Sequence, residues 1–303
     1  MTLQHIQYLH HQQIDKKRWD SCIDTAANGR IYGYSTYLDH MSDHWDGLVL
    51  NDYEAVMPLT WRKKFGISYL YQPPLVAQAG VFGKELTTDL VKNFLDAVPK
   101  KFRLWEFPLN SGNAIGSEDD GFYMRKNYVL ALHHQYEALN KNYRDNIRRN
   151  IKKSLQYGNT ATPGITIDAV KQLALSFNTG ISKEALERFS NLYSVLQKSG
   201  NAKSYGIVSL QSELLASAVF VFSHNRAYYI LVGNHPNGRT LGASHALIDA
   251  FIADHAGEQL LLDVEGSDIR NLAFFYSSFG AVEENYPAVK RNLLPFYLRW
   301  LKS

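Results

Sequence analysis

Residues 227–282, AYYILVGNHPNGRTLGASHALIDAFIADHAGEQLLLDVEGSDIRNLAFFYSSFGAV, read as strand, glycine-containing loop, helix, strand, helix. Tyr228–Val232 is a short apolar run bounded by polar turn residues, which predicts a buried strand rather than a helix. Gly233 to Gly242 then brings Gly, Asn, Pro, Asn and Gly in quick succession. Beyond the loop, Ala243, Ala246, Leu247, Ala250 and Phe251 recur at helical period, and Gly257 stands where such a helix would end. Leu260, Leu261 and Leu262 predict the next strand, and Ile269, Leu272, Ala273 and Tyr276 a second amphipathic helix.

A strand that opens into a helix through such a loop points backbone N–H groups and the positive end of the helix dipole at whatever lies above it, and that suits an anion. Gly233, Asn234, Arg239, Gly242, Ala243 and Ser244 are the candidates for holding such an anion, with a plain helix-start turn as the other reading. On the next strand Asp263 and Glu265 are two apart and should share one face, at the carboxyl end where ligands of α/β sheets bind. A carboxylate there could serve as a general base. The structural alternative makes Asp263 a cap or ion-pair partner and leaves only Glu265 facing solvent. Tyr276 lies on the apolar stripe of its own helix and reads as a buried core tyrosine. Tyr228 and Tyr229 alternate along their strand, so one faces the core and the other is free to line a cleft. Lys290 is either a surface lysine or an ammonium for a developing oxyanion.

The segment Arg239-Thr240-Leu241-Gly242-Ala243-Ser244 resembles the pyrophosphate loop of the acyl-CoA N-acyltransferase (GNAT) superfamily, Gln/Arg-x-x-Gly-x-Gly/Ala, with Ser244 standing where the family has Gly or Ala. Phe275-Tyr276-Ser277-Ser278-Phe279-Gly280 resembles the superfamily's Leu-Tyr-x-x-x-Gly-Phe segment, with Ala281 in place of Phe. Together with Asp263-Val264-Glu265-Gly266-Ser267 this is similar to the FemABX-like branch, in which two such domains stand in tandem and transfer aminoacyl or acyl groups onto amines. Arg148 through Ser154 matches a further recurring segment of that branch, Arg-x-x-Ile-x-x-(Ala/Ser), and marks Arg148 as a candidate substrate contact. The motifs cover the region from about Tyr136 to the end, and the earlier part resembles the family only in architecture.

The resemblance implies an α/β chain with mixed sheets and two tandem GNAT-like domains, 1–127 and 128–295, with a tail 296–303 that packs back on the first. Trp19, Trp45, Trp61 and Trp105 in the first third and Trp300 at the end agree with two cores. The implied activity is N-acyl transfer from a thioester such as acyl-CoA to a small-molecule or peptide amine. Aminoacyl-tRNA is the alternative donor, and a degenerate fold that only binds a ligand is the alternative outside catalysis. In many superfamily members the tyrosine matching Tyr276 is the general acid beside the leaving thiolate.

Composition is consistent with this. Of 303 residues, 45% are apolar and 20% charged, ordinary for a globular chain with a sizeable core. The one cysteine, Cys22, rules out an internal disulfide framework and suits a reducing compartment. With no secretory leader and no apolar run of membrane-span length, the expected location is cytoplasmic. The net charge of +3 argues little by itself, but Lys141, Arg144, Arg148, Arg149, Lys152 and Lys153 stand against Asp145 alone on a predicted helix 141–157, a stripe suited to phosphate. His40 and His44 lack a third ligand and the base of a zinc-protease pattern, so no metal is expected. Nothing in the sequence indicates the oligomeric state.

Overall fold

A computed structural model of the chain describes residues 5–116, 121–177, 180–265, 268 and 270–296. Its described residues form two units: the first runs to Arg125 and resumes at Asn285, and the second is Lys126–Glu284. The first boundary lies close to the expected 127/128. At the other end, residues 285–295, assigned from the sequence to the second domain, belong to the first. Trp300 and the rest of the tail after Phe296 lie outside the described residues.

In chain order the first unit holds β1 (Ile6–Leu9), α1 (Lys16–Thr25), α2 (Ser35–Met41), β2 (His44–Leu50), β3 (Ala55–Lys64), β4 (Ile67–Tyr71), β5 (Phe82–Gly83), α3 (Thr88–Asp96) and β6 (Phe102–Pro108). β7 (Phe122–Ala131) carries the chain into the second unit. There follow α4 (Tyr136–Lys141), α5 (Asp145–Gln156), β8 (Thr160–Pro163), α6 (Ile167–Ser176), α7 (Lys183–Lys198), β9 (Ala202–Val208), β10 (Leu214–Ser223), β11 (Arg226–Asn234), α8 (Pro236–Thr240), α9 (Ala243–His255), β12 (Leu261–Asp263) and α10 (Arg270–Ser277). β13 (Val282–Asn292) brings the chain back.

In the first unit β1, β2, β3 and β4 form an antiparallel run, β4 then pairs in parallel with β6, and β13 lies antiparallel against β6. Side-chain alternation splits the core across the sheet. Leu48, Leu50, Met57 and Leu59 join Leu90, Val91, Phe94 and Leu95 of α3 on one face. Trp45, Val49 and Val56 join Trp19 and Ile23 of α1 and Leu38 of α2 on the other. Caps set the helix starts: Asp15 accepts from the amides of Lys17 and Arg18, and Thr87 from that of Leu90. α2 ends at Met41 and His44 opens β2, so His40 and His44 never share a helix face.

The second unit's sheet runs β7, β12, β11, β10, β9, β8, antiparallel except for the parallel pair β11 and β12. Of the predicted helix 141–157, residues 145–156 form α5; Lys141 is the last residue of α4, and between the two helices the Tyr143 ring is buried against Phe279. Thr166 caps α6 by accepting from Ala169 N–H, and Val170, Leu173 and Ala174 are buried at i, i+3 and i+4. α9 buries Leu247, Ile248, Phe251 and Ile252, and Phe251 stacks at 3.7 Å on Phe220 of β10. Among the described residues, no helix is long and apolar enough to cross a membrane.

Candidate functional site

β11 and β12 pair through only three residues, Arg226 with Leu261, Ala227 with Leu262 and Tyr228 with Asp263. β11 continues to Asn234 bonded to β10, while no described strand takes its other edge, so the sheet opens at the carboxyl end of β12. A bulge re-aims the side chains lining this opening. The step from Tyr229 to Val232 lies opposite the shorter step from Phe220 to Ala218, which leaves one extra residue in β11 and shifts its alternation. Tyr229 therefore packs among Phe220, Phe251 and the other α9 residues, and Asn234 also reaches α9, accepting a 2.5 Å hydrogen bond from Ser244 Oγ. Gly233 faces the opposite layer: a Cβ there would press on Leu173 and Ala174 of α6, so this glycine serves close helix–strand packing.

Gly242 caps α9 at φ 72°, and a Cβ on it would run into the Asn150 carbonyl of α5, so the position requires glycine twice over. The amides of His245 and Ala246 turn back to Gly242 O at 3.1 Å, while those of Ala243 and Ser244 meet no acceptor among the described residues. Arg239, on the short α8, is exposed, and among the described residues its guanidinium meets no partner. Free amides, the helix dipole and an uncommitted arginine thus lie together in the segment that leaves β11.

The carboxylate pair is arranged differently from expectation. β12 ends at Asp263, and Glu265 follows it at φ 56°, so the two do not share a strand face. Asp263 is committed on both oxygens: Oδ2 takes Arg226 Nη1 at 2.6 Å and Oδ1 accepts the Glu265 N–H at 3.0 Å. Arg226 also forks onto Glu284 at 2.9 and 3.0 Å, and Glu284 accepts from Asn127 at 3.1 Å. The side chains of Arg226 and Asp263 are only 8% and 2% exposed. Burial alone would lower the guanidinium's pKa, but its bonds to Glu284 and the charges of Asp263 and Glu284 hold it above its ordinary value. Asp263 therefore fixes the turn that presents Glu265. Gly266 and Ser267, part of the FemABX-like segment, lie outside the described residues.

Tyr276, on α10, is half-buried and meets Tyr229 edge to face at 6.5 Å. Burial and then the Glu265 carboxylate raise its pKa, and burial followed by Tyr276 does the same for Tyr229. Neither hydroxyl meets a hydrogen-bond partner among the described residues. Tyr228 is wholly buried on the other face, its hydroxyl 3.5 Å from Ser223 Oγ.

Arg148 gives its guanidinium to the carbonyls of Asn140 and Lys141 at the end of α4 and to Asp145, a helix-end cap in place of a substrate contact. Lys290 is exposed on β13, paired with Glu106 in the first unit, whereas the loop and Glu265 belong to the second.

His245 escaped the sequence reading because it falls off the apolar stripe Ala243, Ala246, Leu247. Its Nε2 lies 3.3 Å from Asn150 Nδ2, its ring is 5.0 Å from that of Phe275, and its buried Nδ1 meets no partner among the described residues. Burial lowers its pKa to about 4, so the ring is neutral at neutral pH.

This arrangement was compared with known proteins. Over 97% of this chain and 99% of the other, the structure matches that of FemX with a TM-score of 0.67 at 12% identity. The chain has the GNAT/FemX-like fold. L-PGS from Bacillus licheniformis matches over 92% of each chain, with a TM-score of 0.55 and 14% identity. A tandem GNAT protein from the clavulanic acid biosynthesis pathway matches over 96% of this chain and 99% of its own, with a TM-score of 0.53 and 11% identity. No family model and no curated protein matches the sequence. The parting strands, the amides opening α9 and the Glu265 turn therefore lie on the fold that these structures share.

Proposed function

We propose that the protein transfers an acyl or aminoacyl group to an amine, using the opening between β11 and β12. The carrying observation is that this opening is bordered at one end by the unpartnered amides of Ala243 and Ser244 and at the other by Glu265, whose charge is felt by Tyr276. A phosphate-bearing donor would be held by the start of α9 and by Arg239, with its acyl carbon beside the unpaired edge of β11. The amine nitrogen attacks that carbon, forming the C–N bond. Glu265 takes the ammonium proton, and as the tetrahedral intermediate collapses the bond to the carrier breaks, with Tyr276 protonating the leaving atom. Acyl-CoA is the first donor to test.

A second reading, aminoacyl-tRNA as donor, has a specific observation in its favour. Ser244 Oγ is tied to Asn234, and the α5 backbone sits against Gly242, which narrows the room for a pyrophosphate at the helix start. The test is calorimetry with coenzyme A and with charged tRNA, followed by single-turnover transfer to a panel of amines by the intact chain and by Glu265→Gln. Donor binding with transfer at least tenfold slower in the variant is expected. Tight binding of one donor with no transfer, and no change in Glu265→Gln, would leave a ligand-binding protein of the same fold.

A further inference from the structure

The hairpin joining β3 to β4 closes at Lys64 and Ile67, leaving a two-residue loop, Phe65-Gly66. Both residues have positive φ, 50° and 78°, the geometry of a type I′ turn whose usual occupants are Asn-Gly, Asp-Gly or Gly-Gly. A phenylalanine in the left-handed region is strained. This one has no packing reason to be there, because it is 83% exposed and the space around Gly66 is open. Lys63 and Lys64 are exposed too, and among the described residues neither meets a carboxylate. Successive strand residues point to opposite faces, so the two ammonium groups flank the tip, that of Lys64 lying 5.5 Å from the Phe65 ring centroid. The next basic residue, Arg62, is already paired with Asp43 and laid over Tyr71.

We propose that this hairpin is a membrane-contacting finger that sets Phe65 into the interface of an anionic phospholipid surface, with Lys63 and Lys64 at the headgroups. An aromatic ring on a protruding two-residue tip has area to lose on entering a bilayer interface, and the flanking lysines can keep their charges at headgroup level while their stems follow the ring. Charge complementarity selects anionic lipid. A nucleic-acid site would need a track of free basic residues leading from the ring, and the committed Arg62 ends that track.

The finger is independent of the transfer reaction, and its test needs no turnover. The intact chain and its variants are sedimented with phosphatidylcholine vesicles with and without phosphatidylglycerol. The intact chain should bind the phosphatidylglycerol vesicles preferentially. Phe65→Asn suits the turn better, so it should keep or raise the melting temperature while vesicle binding falls by roughly tenfold or more; Phe65→Gly provides the same comparison should the first variant fold poorly. Lys63→Gln with Lys64→Gln should remove the preference for phosphatidylglycerol. No binding, binding indifferent to lipid charge, or unchanged binding by Phe65→Asn would overturn the proposal. So would a tip-dependent loss of tRNA binding or of self-association that leaves vesicle binding untouched.

Discussion

Replacing Asp263 by asparagine tests whether the buried carboxylate acts as a base or as the fixed point for Glu265. The site asks Asp263 for two acceptors, one for Arg226 and one for the Glu265 amide. An asparagine side chain offers one acceptor and one NH₂, so in either flip state one of the two donors faces another donor. Losing a buried hydrogen bond to a charged group costs about 1.5–3 kcal/mol, so about 2 kcal/mol is expected here, the bidentate Glu284 still compensating the guanidinium. In a unit of this size that lowers the melting temperature by roughly 4–8 °C. Thermal and urea unfolding would measure the stability term, and transfer rates for Asp263→Asn, Glu265→Gln and the double variant would measure the functional one. If Asp263 acts by orienting Glu265, the double variant is about as slow as Glu265→Gln alone. Additive losses, or stability within about 0.5 kcal/mol of the parent, would refute the reasoning.

Two further predictions concern α9. His245 has its pKa lowered by burial to about 4 from an ordinary 6.5, so below pH 6.5 the unfolded state binds the proton that the folded state refuses. Stability should be at its full value above pH 6.5 and fall as pH drops towards 4, by at most about 3 kcal/mol, and His245→Gln should flatten the unfolding free energy against pH over that window. Gly242→Ala puts a Cβ at φ 72° against the Asn150 carbonyl, so α5 and α9 must separate; a loss of about 2 kcal/mol or more is expected in chemical unfolding, with weakened donor binding by calorimetry.

Elements whose burial is periodic were legible in the sequence. β11 and α9 fall where apolar spacing places them, because one buried face writes its period directly into the residues. Features that depend on partners were not. The bulge in β11 is a relation between Tyr229–Val232 and β10, with no mark in β11 itself. Arg226 reads as a turn residue until Asp263 and Glu284 close around it. Arg148 looked like a free charge in a basic stripe because the carbonyls it caps belong to the preceding helix, α4. Lys290 was assigned by its position in the chain, whereas strand pairing returns β13 to the first unit. The cap of α6, Thr166, sits in a Gly-Ile-Thr-Ile context of high strand propensity, which masks a helix start.

Each unit contains one parallel strand pair, and comparing the two explains why only the second unit is assigned chemistry. In the first, β4 pairs with β6 as far as Tyr71, its last residue, so the pair does not open before β4 ends. The chain then meets Pro73 and Pro74, which have no N–H to offer an anion, and the next helix, α3, begins only after β5. In the second unit β11 outruns its pairing with β12 by the six residues Tyr229 to Asn234, and carries its bulge within that stretch. It leads within a few residues to the glycine-capped start of a thirteen-residue helix with two open amides. The same pairing pattern therefore closes off one strand end and leaves the other open, as the proposed anionic carrier requires. The difference lies in how far the strand extends beyond its partner, and in whether prolines or a helix start come after it.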